Sequence, residues 1–339
     1  MSNYKTDVVI IGAGPVGLFA IFELGLLDMK CHVIDNLDKI GGQCSELYPE
    51  KPIYDIPSRV EISAQKLVDD LMDQCKPFNP IFHLNQNAEK LEKNTENEWT
   101  ITTSENNSII AKCIVIAAGA GSFIPRKPPL ENIAEYENKS VFYSIKNKKI
   151  FENKNVLIAG GGDSAIDWTN ELSKIANVSL LHRRKEFRAS PDSVQKMLNL
   201  EENNKIEFFL GQLKSLNGNN GMLESVLIYN DNEEKKIQTD FLIPFFGLKN
   251  DLGSIKNWNL NLENNLIIVD TEKFETNIPS IFSIGDINTY PGKLKLILSG
   301  FHEAALMSQK CAQYCFPDKK VIFRYTTSSK DIHKKLGIK

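Results

Sequence analysis

Apolar positions in this chain gather in short unbroken runs that end on glycine, with longer mixed stretches between them. Residues 7–11 carry the first run, after Asp7, and residues 30–34 carry another; between them lie Gly12, Gly14 and Gly17 and a mostly apolar segment over 15–27. An uninterrupted apolar run predicts a strand buried on both faces, as in a parallel sheet, and the longer segment predicts a helix. Strand, glycine turn, helix and strand make a βαβ unit. The pattern returns with a strand over 155–159, then Gly160, Gly161 and Gly162, a helix over 164–175 and a strand over 178–181.

The remaining punctuation sets the order of domains. Strands are expected at 98–101 and 108–117, the second closing on Ala117-Ala118-Gly119; an apolar run at 241–246 closes on Gly247, and one at 281–284 closes on Gly285-Asp286. The domain of the second βαβ unit therefore lies inserted in the domain of the first. The expected fold class is α/β, with two Rossmann-like three-layer dinucleotide-binding domains: residues 1–117 and 248–339 form the first, and residues 118–247 form a second inserted in it. Residues 8–27 are long and apolar enough to mimic a bilayer span, but Gly12, Gly14, Pro15, Gly17, Glu23 and Gly25 interrupt them and fit strand, turn and helix better.

The glycines carry the first chemical signal. In Gly12-x-Gly14-x-x-Gly17 the first glycine makes a tight turn after a strand, the second admits a pyrophosphate close to the backbone, and the third lets the helix pack on the sheet. A helix N-terminus with its unpaired N–H groups favours that anion. Asp35, about twenty residues on, closes the second strand, where a carboxylate accepts from ribose hydroxyls. The second unit has Gly160, Gly162 and, in the helix-packing position, Ala165. Its second strand ends not on an acid but on His182-Arg183-Arg184, with Arg188 following. Guanidinium groups bind phosphate through charge-assisted hydrogen bonds, so this site is expected to take a 2′-phosphate and to prefer NADP over NAD.

Composition adds mostly exclusions. The chain has 339 residues, 42% hydrophobic and 24% charged, with a net charge of −3, so no global field favours nucleic acid. Lysines cluster at Lys146, Lys148, Lys149 and Lys154, a patch suited to an acidic protein partner. Cys31, Cys44, Cys75, Cys113, Cys311 and Cys315 show no zinc-type pairing and no disulfide framework, so no metal is expected. Cys311 and Cys315 share a helix face as buried small hydrophobes. Residues 1–7 are polar without an export-type apolar core, and the expected location is the cytoplasm, with no membrane association.

Taken in order, further segments make a specific likeness. They are Gly41-Gly42-Gln43, Leu47-Tyr48-Pro49-Glu50-Lys51, the run Ala118 to Arg126, Gly160 to Asp167, His182 to Ala189, Phe245 to Lys249, Gly285-Asp286, and Lys295-Leu296-Ile297 leading to Gly300-Phe301-His302-Glu303-Ala304. With them the chain resembles, nearly end to end, the ferredoxin-NADP reductases of type 2, those built on the thioredoxin reductase plan. The resemblance implies FAD in the first domain and NADPH in the second, and a homodimer. It implies that Gln43 hydrogen-bonds the flavin ring, Tyr48 stacks on it and Asp286 binds the ribityl chain. It also gives Ala88 an adenine contact, and puts Phe123 at the crossing between domains and Thr327 in a tail near the flavin.

One family feature is missing. Thioredoxin reductases place a Cys-x-x-Cys pair shortly before the second glycine turn, where this chain has Tyr143-Ser144-Ile145-Lys146-Asn147. Electrons must then leave the flavin directly. The expected activity is hydride transfer between NADPH and flavin N5 followed by single-electron transfer to ferredoxin or flavodoxin, with no protein side chain as catalytic acid or base. The alternatives are an NADPH diaphorase or quinone reductase, and a non-catalytic flavoprotein that senses NADPH.

Overall fold

A computed structural model describes residues 2–121, 124–230, 233–249, 251–319, 325–327 and 329–337. The chain forms two compact units, Met1–Phe123 together with Asn250–Lys339, and Ile124–Lys249.

The first unit is built on a five-stranded parallel sheet in the order Ile281–Ser283, Cys113–Ile116, Val8–Ile11, Cys31–Ile34, Ile81–His83. All residues of its four strands other than Ile81–His83 are buried, which is why their sequence reads as apolar runs instead of alternating. Helices Pro15–Leu26, Ala64–Cys75 and Ile297–Cys315 pack together. Leu18, Ile21 and Leu24 of the first are fully buried, each worth roughly 1.5–3 kcal/mol. Pro15 opens that helix without loss because its missing N–H would have had no intrahelical partner. Ala64–Cys75 buries Leu67, Val68, Leu71 and Cys75, and Ser63 caps it by accepting from Lys66 N at 3.2 Å. A four-stranded sheet, Asn3–Lys5, Ser108–Ala111, Trp99–Thr103, Ala88–Lys93, is the third layer.

The single strand expected over 108–117 is two. Ser108–Ala111 pairs in the four-stranded sheet and Cys113–Ile116 in the parallel one, with the chain turning between layers at Lys112. The amides of Lys112 and Cys113 both donate to the Asp7 carbonyl, at 3.1 and 3.2 Å, and the Lys112 ammonium donates to the Cys315 carbonyl at 2.7 Å. Apolar residues on both sides of Lys112 hide such a turn in the sequence.

At the sheet edge, His32 and His83 meet through Nδ1 and Nε2 at 2.9 Å, with Tyr4 against both rings. Burial, and then the neighbouring imidazole, pushes His32 down to about 4; burial also lowers His83. Both groups titrate lower when folded than the unfolded value near 6.5, so the unfolded chain takes up protons first. Their contribution is complete above pH 6.5 and is lost as pH falls toward 4. We expect His32→Leu to remove about 2 kcal/mol of the stability difference between pH 6.5 and pH 4 in denaturant titrations; an unchanged difference would refute this.

The second unit holds a four-stranded parallel sheet, Ile206–Leu210, Asn177–His182, Asn155–Ala159, Phe241–Pro244, with helices Asp163–Leu172 and Pro191–Glu202. It also has an antiparallel sheet of Gln212–Asn219, Met222–Asn230 and Glu233–Gln238, whose alternating burial buries Leu223, Val226 and Ile228. Where the chain enters and leaves the unit, Ile124–Pro125 pairs antiparallel with Leu248–Lys249. Among the described residues no helix is long and apolar enough to cross a membrane, and the apolar stretch 8–27 is the strand, turn and helix described above.

Candidate functional site

The glycine turn of the first unit opens a cavity of about 310 Å³. Gly12, Gly14, Asp35, Gln43, Tyr48, Ala88 and Asp286, seven of the ten residues expected to contact FAD, line it together. Gly17 does not. A side-chain carbon at Gly17 would lie 2.1 Å from the Gly12 carbonyl oxygen, so this glycine lets the helix start against its own turn. Phe123 lies outside the described residues. Thr327 is exposed and is not among the described residues that line the cavity.

Asp35 closes its strand as expected, and its carboxylate is engaged by the chain itself. One carboxylate oxygen accepts from Ala13 N at 2.6 Å and the other from Leu37 N at 2.9 Å, so the acid ties the glycine turn to the strand end. Burial raises its pKa, and the amides of Ala13, Leu37 and Asn36 oppose that. Gln43 opens the short helix Gln43–Glu46 after two positive-φ glycines, Gly41 and Gly42. Tyr48 follows, its hydroxyl 3.9 Å from Cys44 Sγ; burial first, then Cys44 and Asp286, push its phenol well up. It is a neutral aromatic surface at the cavity wall. Burial likewise raises Asp286, against the nearby cations of Lys293 and Lys295.

Sequence reading missed the segment Asp251 to Ile255, which returns from the second unit to line the same cavity, and it missed Gln86 and Asn87 beside Ala88. No motif marks them, because they sit in a connecting loop and the short 3-10 helix Gly253–Asn257, whose positions only the fold fixes. His302, a tempting neighbour of the flavin motif, is exposed and meets Phe274 edge-on at 6.4 Å. Its neighbour Glu303 is fully buried.

In the second unit the turn Gly160 to Gly162 follows strand Asn155–Ala159 and precedes helix Asp163–Leu172. The segment after His182 folds back over it: Arg188 N donates to the Gly161 carbonyl at 2.7 Å, and Ser190 N donates to Asp163 Oδ1 at 2.9 Å. That return brings Arg188 to the glycine turn, leaving Arg183, Arg184 and Arg188 exposed. Ala165 is fully buried at the helix-packing position. The His182 ring stacks on Phe187 at 5.5 Å, and burial, then the cations of Arg183 and Arg184, lower its pKa, opposed in part by Glu186. The arrangement sets exposed cations on the segment that folds back over the glycine turn.

All six cysteines are free, buried and in the first unit. Cys113 joins Cys311 and Cys315 in one packed trio, with their sulfurs within 4.8 Å of one another, a grouping that sequence spacing did not show. Where a dithiol would stand in the second unit, Tyr143 donates to Glu137 Oε1 at 2.7 Å.

Comparison with known proteins agrees with this geometry. The model of the pyridine nucleotide-disulphide oxidoreductase family matches residues 6–306. The ferredoxin–NADP reductase of Parvibaculum lavamentivorans is 58% identical over 335 residues, covering 98% of each chain. That of Nitrobacter winogradskyi is 54% identical over 336 residues, also covering 98% of each. In fold, the chain is similar to the thioredoxin reductase of Lactococcus lactis, with a TM-score of 0.79 at 24% identity, covering 92% of this chain and 100% of that one.

Proposed function

Because the chain belongs to the pyridine nucleotide-disulphide oxidoreductase family and, within it, to the ferredoxin–NADP reductases, we propose that it passes electrons between NADPH and ferredoxin or flavodoxin through FAD. The observation that carries this reading is the pair of dinucleotide turns on separate units. One is closed by Asp35 and the other rimmed by Arg183, Arg184 and Arg188, and the second unit contains no cysteine. The cavity residues fit FAD: the turn leaves Gly14 with open space beside it, an acid stands at the strand end, and Gln43 and Tyr48 offer a polar edge and a flat face. FAD, when bound, supplies the exchange between hydride and single-electron chemistry, with N5 as its hydride-accepting atom. The chain's own residues bind and orient. The acid of Asp35 and the amides of the glycine turn hold the first dinucleotide, while the arginines select the phosphorylated one. Six free thiols support a reducing, cytoplasmic setting, and the family likeness supports a homodimer.

The test is NADPH-dependent cytochrome c reduction with and without ferredoxin, run beside NADH and thioredoxin arms. The reading requires a large ferredoxin-dependent rate with NADPH well ahead of NADH, and no thioredoxin-disulfide reduction. Dye or quinone reduction to which ferredoxin adds nothing would make the protein a diaphorase. Lys146, Lys149 and Lys154 are exposed on the second unit and suit an acidic partner. Lys146→Glu with Lys149→Glu should raise the KM for ferredoxin about tenfold at low salt and leave dye reduction unchanged. Equal KM values would remove the patch from the docking surface.

A further inference from the structure

We propose that Glu303, paired with Lys293, is a positioning residue that holds Gly285-Asp286 in its FAD-receiving shape before the cofactor arrives. This rests on reading the cavity of the first unit as the FAD site. Glu303 and Lys293 side chains are 0% and 6% exposed, and they are in direct contact. One carboxylate oxygen accepts from Gly285 N at 2.6 Å and from Asn288 Nδ2 at 2.9 Å. The other accepts from the Tyr290 hydroxyl at 3.0 Å and from the Lys293 ammonium. Every acceptor position of the carboxylate is therefore used.

Lys293 completes the device by donating to the Gly285 carbonyl at 2.9 Å. Both polar groups of Gly285 are thus fixed by one buried ion pair. Gly285 has φ of +79°, a conformation that glycine reaches readily but that nothing in its own side chain can hold. It lines the cavity with Asp286, whereas Glu303 does not. Glu303 stands behind the loop on helix Ile297–Cys315.

A buried ion pair is weak evidence for stability, since apolar residues of similar volume often serve as well. What an apolar pair cannot do is accept from the Gly285 N–H. The inference is that the pair is retained for loop geometry, and that the acceptor matters more than the charge.

Two double variants separate these. Glu303→Gln with Lys293→Met removes both charges but keeps a carbonyl oxygen for Gly285; Glu303→Leu with Lys293→Met removes the acceptor too. FAD affinity, apoprotein melting temperature and NADP+ affinity are measured for each. We expect the Leu variant to bind FAD at least tenfold more weakly than the Gln variant while the two bind NADP+ equally; the Leu apoprotein should melt lower, since Asn288 and Tyr290 lose their acceptor as well. Equal FAD affinity in the two would overturn the proposal. If either variant fails to fold, hydrogen exchange on the wild-type apoprotein decides: Gly285 N–H should be protected without FAD, and exchange within minutes would refute a preset loop. Wild-type protein that binds no FAD would instead refute the reading of the cavity, whatever the exchange at Gly285.

Discussion

Gly14→Val should give a folded protein that purifies without flavin. Gly14 has φ −73° and ψ 177°, an extended conformation that valine adopts, and a side-chain carbon there meets no protein atom within 4 Å. The group such a side chain would obstruct first is a ligand on the turn. The neighbouring glycines differ: at Gly12, with φ +108°, a side chain would come within 2.4 Å of the Ala117 carbonyl oxygen, and Gly17 is closed by the chain itself. Substitution at those two should damage the fold. For Gly14→Val we expect FAD affinity to fall at least 100-fold, about 3 kcal/mol, with the apoprotein melting within a few degrees of wild type and NADP+ binding unchanged. A yellow Gly14→Val protein with normal affinity would place the pyrophosphate elsewhere.

Removing the cations of the second unit should be as costly, but to one substrate only. Each charge-assisted bond to a 2′-phosphate is worth roughly 1.5–3 kcal/mol, so Arg183→Ala with Arg184→Ala should lower kcat/KM for NADPH by about two to four orders of magnitude. NADH, which lacks that phosphate, should be used within about threefold of the wild-type rate. The comparison is clean because both side chains are exposed and the segment is tied back through the Arg188 amide, which the substitutions leave alone. Equal losses with both nucleotides would mean that the arginines shape the site and do not select the phosphate.

These predictions start from residues that were legible in the sequence, and the reason is local. A glycine turn between an apolar strand and a helix is written in consecutive residues, so both turns could be read directly. Asp35 was legible as an acid at a strand end, but its bonds to Ala13 and Leu37 were not, because backbone donors carry no sequence mark. The division at Lys112 was hidden because apolar residues flank it on both sides, though Ser108–Ala111 is buried only at alternate positions. The antiparallel sheet of the second unit went unread because Gln212–Asn219 and Glu233–Gln238 are largely polar and exposed strands held by pairing to Met222–Asn230. Glu303 carries no legible role in its motif, because its partners Gly285 and Lys293 meet it only after the helix returns to the loop.

The strand order of the first unit also has a consequence for synthesis. Cys113–Ile116 pairs on one side with Val8–Ile11 and on the other with Ile281–Ser283, a neighbour the ribosome has not yet made when the first is complete. At about 5–20 residues per second, roughly ten to thirty seconds separate the emergence of those two strands. During that interval the second unit, whose residues run without interruption from 124 to 249, can complete its own sheets, while the earlier segment keeps an open strand edge. An unpaired apolar edge invites non-native pairing, so nascent chains stalled before residue 281 are the ones that should engage chaperones and aggregate. The last quarter of the chain thus acts as the closing stitch of the third that was translated first.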